Sequence, residues 1–324
     1  MPKAVRFHQP GGPEVLQWED VEVGAPGEGM ARVRHTAVGL NYIDTYHRSG
    51  LYPVPLPSGI GLEAAGVVEA VGPGVTLVNV GDRVAYAGGP LGAYSEARVM
   101  PADKLVRIPE GVTDQQAAAM MLQGMTTQYL LRRTFRVQPG QTILFHAAAG
   151  GVGLIGCQWA KALGATVIGT VSTEEKAALA RAHGCDHTIN YTKENFVQRV
   201  KEITKGEGVA VVYDSVGKDT WEGSLDCLQP LGMFVNFGNA SGPIGKMDVG
   251  LLAAKGSLFM TRPTLMTYTA KRADLEASAN ELFEVVASGK VKIGINQTYA
   301  LKNATQAHID LEGRKTTGST ILIP

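Results

Sequence analysis

Hydrophobic and polar positions give the two parts of this chain different rhythms. Up to about residue 120, short apolar or alternating runs are broken by Gly and Pro at close intervals: AVRF, ARVRHTAVGL, AAGVVEAVG, RVAYA and AYSEARVM. Helical periods are scarce there, so the pattern predicts a compact, irregular β-barrel. GDRV, at residues 81–84, reads as a turn into a strand. The stretch NYIDTYHRSGLYPVPLPSGIGLE interrupts this series. Its Tyr, Gly and Pro content reads as a loop, the kind of segment a rigid scaffold presents at a site. Residues 114–135, DQQAAAMMLQGMTTQYLLRRTF, return to helical spacing, with Asp114 as the expected cap, and link the first domain to the second.

From Thr142 the rhythm alternates. Strand runs TILFHAA, TVIGTV, HTINY, VAVVYDSV and MFVNFG are separated by helical runs LIGCQWAKAL, EEKAALARAHG, ENFVQRVKEIT and a segment around WEGSLDCLQ. Strands alternating with helices predict an α/β fold with a doubly wound parallel sheet. GSLFMTR, from Gly256, adds a sixth strand, residues 272–289 a helix, and the tail GSTILIP a strand that rejoins the first domain. The expected division is 1–122, completed by 263–324, and 123–262.

The first candidate chemistry lies where TILFHAA meets its helix. The turn has the phasing Ala147, Gly150, Gly153, a variant of the usual G-x-G-x-x-G. Glycines there let the chain bend sharply and let a pyrophosphate approach the amides at the helix start. The bland alternative is a turn that only packs helix on strand. Its place between two apolar strands favours a dinucleotide. At the end of the next strand, GTVST at residues 169–173 carries no acid, and Lys176 lies just beyond. A carboxylate there selects a ribose 2'-hydroxyl, whereas small hydroxyls and a cation suit a 2'-phosphate, so NADPH is expected rather than NADH. Glu174 and Glu175 read as first-turn acids of the following helix.

Composition narrows the classes. With 44% hydrophobic and 19% charged residues the chain is a packed globular protein. Lys plus Arg balance Asp plus Glu at 30 each, which argues against a dedicated nucleic-acid binder. No signal-peptide pattern opens the chain, and no apolar run reaches membrane-spanning length. Cys157, Cys185 and Cys227 are scattered and odd in number, fitting reduced thiols in a cytoplasmic protein. The seven histidines show no metal-ligand spacing, and His146, in a buried strand, reads as a core residue.

AAAGGVG in its LFHAAAGGVGLI context, NYIDTYHRSGLYP, GMTTQYLL, VVYDSVG and KGSLFMTRP together resemble the zeta-crystallin-like quinone oxidoreductases, over essentially the whole chain. These are zinc-free, NADPH-dependent members of the medium-chain dehydrogenase/reductase superfamily. The resemblance implies a GroES-like first domain, a Rossmann second domain, and a cleft between them for the nicotinamide. It also implies a homodimer paired through an edge strand, expected at residues 256–262. Where zinc-containing relatives have a ligating cysteine this chain has Asn41, and where they have Gly-His-Glu it has Gly61, Leu62 and Glu63. Their four-cysteine lobe is missing too. No metal is expected, since Glu63 alone cannot close a zinc site.

Carried over from the resemblance, Asn41, Tyr42, Ile43, Asp44 and Tyr46 sit near the nicotinamide half, and Tyr52 lines the acceptor pocket. Asn41, Tyr46 and Tyr52 are the implied catalytic set. Thr126 and Tyr129 lie under the cofactor; Gly150, Gly151 and Val152 hold the pyrophosphate. Ser172, Lys176 and Tyr191 recognise the 2'-phosphate and adenine, and Ser215, Phe237, Gly238, Ser241, Leu265 and Arg314 complete the set. The implied activity is transfer of reducing equivalents from NADPH to a quinone. Reduction of an enone or enal double bond is the close alternative; an RNA-binding or structural role is the alternative of another class.

Overall fold

The computed structural model describes residues 1–324. It separates into two compact units, one of residues 1–125, 269–287 and 293–324, the other of residues 126–268 and 288–292. No helix is long and apolar enough to cross a membrane. The three cysteines are free and buried.

The first unit begins with strands β1 (Lys3–Phe7), β2 (Gln17–Asp20), β3 (Met30–Leu40), β4 (Ser58–Gly59), β5 (Glu63–Val71), β6 (Arg83–Ala87), β7 (Ala97–Pro101) and β8 (Val106–Arg107). Helix α1 (Tyr42–Ser49) lies between β3 and β4; α2 (Asp114–Ala118) and α3 (Met121–Tyr129) come after β8. A five-residue π-helical turn, Leu130–Thr134, extends α3.

The second unit continues with β9 (Thr142–Phe145), α4 (Gly151–Ala162), β10 (Thr166–Val171), α5 (Glu174–Ala182), β11 (His187–Asn190), α6 (Phe196–Ile203) and β12 (Val209–Asp214). Then come α7 (Trp221–Asp226), β13 (Leu228–Asn236), α8 (Gly250–Ala254), β14 (Phe259–Thr261) and α9 (Leu265–Tyr268). The chain closes with α10 (Arg272–Ala287), β15 (Ile295–Ala300), α11 (Ala304–Glu312) and β16 (Ser319–Ile323).

β3 organises the first unit. Ala31, Val33, His35 and Ala37 turn inward while Arg32, Arg34 and Thr36 are partly or wholly exposed, the period-two pattern of a half-buried strand. One edge of β3 pairs with β5; the other is shared by β7, along Met30–Arg34, and by β16, along Val38–Leu40, all antiparallel. The tail is therefore a strand, as its apolar run predicts, and it pairs with β3. The sheet order is β15-β16-β3-β5-β6-β8, and a small sheet β2-β1-β4 lies beside it. Phe7, Val33, Val38, Tyr86, Tyr94, Leu105 and Leu322 belong to a single core.

In the second unit six parallel strands run β11-β10-β9-β12-β13-β14, the order 3-2-1-4-5-6 of a dinucleotide-binding sheet. Leu144, Ile168, Ile189, Val212, Phe234 and Leu258 share its core. Full burial of each such side chain stabilises by roughly 1.5–3 kcal/mol.

Three sequence expectations are corrected. The segment NYIDTYHRS is not a loop but α1, capped by Asn41 at its start and by Gly50, with φ 82°, at its end. Its two Tyr, Ile, Thr and Asp are poor helix formers, so capping and packing decide it. The helical run from 114 breaks in two, and Thr113, not Asp114, caps its start: the Thr113 hydroxyl accepts the Gln116 N–H at 3.1 Å. Asp114 instead takes the Thr36 hydroxyl at 2.7 Å and pairs with Arg83. The apolar run TILFHAA is a strand only to Phe145, because His146 and Ala147 begin the turn.

Candidate active site

In the second unit, the turn between β9 and α4 is braced from behind. His146 is 1% exposed, and its ring nitrogens bond the Thr170 and Ser224 hydroxyls at 2.9 and 3.0 Å. Burial lowers its pKa below the ordinary histidine value, with Asp214 opposing. It is a core histidine, as expected, although it lies on the turn after β9 rather than on the strand. Ala147 takes the left-handed region at φ 54°, and the Ala148 N–H donates to Thr170 at 3.0 Å. Gly150 caps α4 in extended backbone with no side chain filling the cap. The amides of Gly151 and Val152 are thus orphan donors at the positive end of a helix dipole. A Cβ on Gly153 would lie 2.3 Å from the Ala147 oxygen and 2.7 Å from the Ala148 carbonyl. The helix approaches the turn this closely only because Gly153 has none. The cradle fits a pyrophosphate. Gly153→Ala is expected to push α4 off the turn at a cost of about 1–3 kcal/mol and to weaken NADPH binding about tenfold, read by a fluorescence titration with a thermal melt as control.

Ser172 sits just after β10, and Thr173 caps α5 by accepting the Lys176 N–H at 3.2 Å. Tyr191 sits just after β11, 42% exposed, its N–H donating to Val171 at 3.1 Å. Ser172, Lys176 and Tyr191 thus follow the carboxyl ends of two neighbouring strands. Glu174 is engaged by Asn190, at 3.2 Å, and by Lys193, at 3.6 Å. These donors fit a phosphomonoester.

Asp214 ties the remaining turns of this unit together. It is fully buried; its Oδ1 accepts the N–H groups of Val216 and Gly217 at 2.7 and 3.0 Å, and its Oδ2 the Thr220 hydroxyl at 2.7 Å. The Asn236 amide donates to the Asp214 and Gly238 carbonyls at 3.3 and 3.0 Å. The segments holding Ser215, Phe237 and Gly238 are thus fixed to one another. The Ser241 hydroxyl donates to Val216 and accepts from the Asp219 N–H, both at 3.0 Å. Phe237 packs edge-on to Phe145 at 6.0 Å. On α3, Tyr129 stacks on Tyr268, with centroids 4.5 Å apart and planes 12° apart, and Arg133 covers Tyr268 at 5.1 Å. Burial raises the Tyr129 pKa, opposed by Arg262 and by a hydrogen bond with Thr126. Leu265 is buried at the start of α9.

In the first unit, α1 gathers the rest. Asn41 is 5% exposed. Its Nδ2 donates to Glu63 Oε2 at 2.5 Å, its Oδ1 accepts from Gln123 at 3.2 Å, and its N–H donates to Asp44 Oδ2 at 2.9 Å. Gln123 in turn accepts the Ser319 hydroxyl at 2.7 Å, and Glu63 Oε1 accepts the Leu122 N–H at 2.7 Å. Burial pushes Glu63 up to about 8, against the Asn41 amide and the Leu122 N–H. Burial likewise pushes Asp44 up to about 7, against the Asn41 N–H and the Tyr94 hydroxyl. Tyr42, Tyr46 and Tyr52 form an aromatic row with centroid spacings of 5.7 and 5.2 Å, and Ile43 is half-buried beside them in sequence. Burial and then Glu312 raise the Tyr42 pKa; the charge of Arg314, on the turn after α11, opposes them. Nowhere do three or more His, Cys, Asp or Glu side chains gather to hold a metal ion.

Gln123, Tyr94, Asp214, Arg262 and Tyr268 support these groups and are not among the residues the sequence singles out. Nothing in their local pattern marks them, because each acts through a contact between distant segments.

Residues 27–110 match the family described as Alcohol dehydrogenase GroES-like domain, and residues 151–283 that described as Zinc-binding dehydrogenase. A quinone oxidoreductase of Pseudomonas aeruginosa is 58% identical, with 100% of each chain covered. A 2-haloacrylate reductase of Burkholderia sp is 50% identical over 100% of this chain and 99% of its own. The crystal structure of Escherichia coli quinone oxidoreductase complexed with NADPH matches with a TM-score of 0.98 at 53% identity, covering 99% of this chain and 100% of that one. With its sheet order, its glycine turn and full-length relatives at this identity, the chain belongs to the quinone oxidoreductases of the medium-chain dehydrogenase/reductase superfamily.

Proposed function

We propose that this chain is an NADPH-dependent quinone reductase that works without a metal ion. The observation that carries the reading is the Ser172, Lys176 and Tyr191 set beyond β10 and β11, in a chain whose full-length relatives are named quinone oxidoreductases. NADPH, when bound, supplies the hydride. The Gly151 and Val152 amides would hold its pyrophosphate, Ser172 and Lys176 its 2'-phosphate, and Tyr191 its adenine. Thr126 and Tyr129 would lie under its nicotinamide half. Asn41 commits one of its two Nδ2 protons to Glu63. The other is the donor we assign to the negative charge that develops on a quinone oxygen. Tyr46 and Tyr52, packed edge-on to each other, would supply an aromatic wall for the acceptor. A quinone is already electron-poor, so hydride delivery needs position and a donor rather than a Lewis acid.

A second reading, reduction of an activated alkene such as an enone or enal, is favoured by the 2-haloacrylate reductase relative. One assay separates them: NADPH oxidation with 1,4-benzoquinone and with an enone, repeated with NADH and after chelator treatment. Quinone-dependent, NADPH-selective, chelator-resistant turnover is expected. Enone-only turnover moves the substrate class; chelator-sensitive alcohol oxidation overturns the mechanism.

We also infer a cytoplasmic homodimer. β14 is the edge of its sheet, pairing only with β13, and Phe259 on it is 55% exposed. An unpaired parallel edge with an exposed aromatic is a natural seam for a second copy. Light scattering that gives the mass of a single chain overturns this.

A further inference from the structure

We propose that Tyr94, His308 and Arg48 are positioning residues for the reaction: a one-way donor chain that fixes Asp44, and through it Asn41, at the start of α1. The inference rests on the reading of Asn41 as the donor to substrate.

The direction of the chain is set by its first member. An arginine only donates. Arg48, 1% exposed, gives Nη1 to His308 Nδ1 at 2.9 Å, so Nδ1 is the acceptor nitrogen of that ring. A neutral imidazole then carries its proton on Nε2, which lies 3.2 Å from the Tyr94 hydroxyl. Burial and the Arg48 charge push His308 down to about 3, so it stays neutral. The Tyr94 oxygen, already accepting, gives its own proton to Asp44 Oδ2 at 2.9 Å. That same carboxylate oxygen takes the Asn41 N–H at 2.9 Å.

Two further contacts show that the chain is built rather than incidental. Gly61 stands at φ 89°, and a Cβ on it would lie 2.2 Å from Tyr94 Cδ1, so the tyrosine ring occupies space only a glycine leaves. Arg48 also gives Nη2 to Glu312 at 2.8 Å and Nε to the Gly11 carbonyl at 3.1 Å. Glu312 ends α11, two residues before Arg314. One guanidinium therefore ties the helix bearing Asn41, Tyr42 and Tyr46 to the turn bearing Arg314.

The weak point of the arrangement is Asp44. Its Oδ1 is buried with no hydrogen-bond partner, so both donors meet on Oδ2. Without the Tyr94 hydroxyl either oxygen is free to take the Asn41 N–H, and the carboxyl loses its fixed rotation. A shift of about an ångström at a reacting group costs up to a hundredfold in rate. The adenosine end of the cofactor, held by Ser172, Lys176 and Tyr191, is untouched.

Tyr94→Phe keeps the ring and removes only the hydroxyl. Its kcat with quinone is expected to fall about tenfold while KM for NADPH stays within about twofold. Amide exchange in peptides covering residues 41–50 is expected to speed up. His308→Leu should behave in the same way. His308→Gln, whose amide offers one acceptor and one donor, should keep kcat within about threefold of the parent and the parent's exchange. A Tyr94→Phe protein that folds with parental kcat and parental exchange overturns the proposal. So does a His308→Gln protein that falls as far as His308→Leu. A parent that fails to oxidise NADPH with any quinone removes the functional reading, and the exchange of residues 41–50 still decides the anchoring.

Discussion

Replacing Ser172 with Asp is expected to raise KM for NADPH about a hundredfold and to make NADH the better donor. Ser172 lies just beyond β10, where a carboxylate in this sheet order meets the adenosine ribose. The new carboxylate accepts a bond from a 2'-hydroxyl and repels a 2'-phosphate carrying nearly two charges. Loss of a favourable hydroxyl contact and gain of a repulsion together reach about 3 kcal/mol, or roughly two powers of ten. Lys176→Met removes only the cation. It should cost about tenfold in KM for NADPH, the worth of one charge-assisted bond at a partly exposed site, with no gain for NADH. Steady-state kinetics with both cofactors decides this. An unchanged NADPH to NADH ratio in Ser172→Asp would show that the 2'-phosphate is read elsewhere.

The second unit was the more legible in the sequence, and the reason is its period. Buried parallel strands are continuous apolar runs, so TVIGTV and VAVVYDSV stand out beside amphipathic helices, and the glycine turn is found at the end of the first such run. The Ser172 and Lys176 proposed for the adenosine end came from a local fact, the absence of an acid at residues 169–173, whereas Tyr191 was named only through resemblance. The first unit yielded its longer strands but not β2, β4, β8, β15, α1 or α11. α1 lacks helix-forming residues and is held by Asn41, Asp44 and tertiary contacts. His308 and Glu312 lie on α11 and act on Arg48 across 260 and 264 residues of chain. Tyr94 meets His308 across 214 residues. No spacing rule reaches so far. Asn41 itself was named only through resemblance, and its meaning changes once Glu63, Gln123 and Asp44 are seen on it. The carboxylate left where zinc-containing relatives have Gly-His-Glu now holds an amide.

The same buried groups give opposite signs to stability against pH, and single substitutions should separate them. A carboxyl whose folded pKa is raised contributes stability that is present in full below its unfolded value and lost as pH rises through the folded one. Glu63, moved from 4.5 to about 8, and Asp44, from 3.8 to about 7, are of this kind. A histidine whose folded pKa is depressed contributes stability present above its unfolded value and lost as pH falls. His308, moved from 6.5 to about 3, and His35, from 6.5 to about 4, are of that kind. His35 is held neutral by burial, between the Ser95 carbonyl at 2.7 Å and the Tyr86 hydroxyl at 3.0 Å. Between pH 4.5 and 6.5 the fold keeps protons on Glu63 and Asp44 that the unfolded chain releases, and refuses protons that the unfolded chain takes up on His308 and His35 and, since burial lowers them too, on His146 and His47. The two slopes run in opposite directions and partly offset one another. Glu63→Gln should therefore gain on the parent, with the slope of about one proton, as pH rises from 4.5 toward about 8. Its amide mismatches either the Asn41 or the Leu122 donor, which lowers stability at every pH and leaves that slope intact. His308→Gln should gain on the parent at a similar rate in the opposite direction, as pH falls from 6.5 toward 3. Urea unfolding of the three proteins at about pH 5, 6 and 7 measures both differences. Differences that run the same way, or stay flat, would mean that one of these groups titrates in the fold as it does in the open chain.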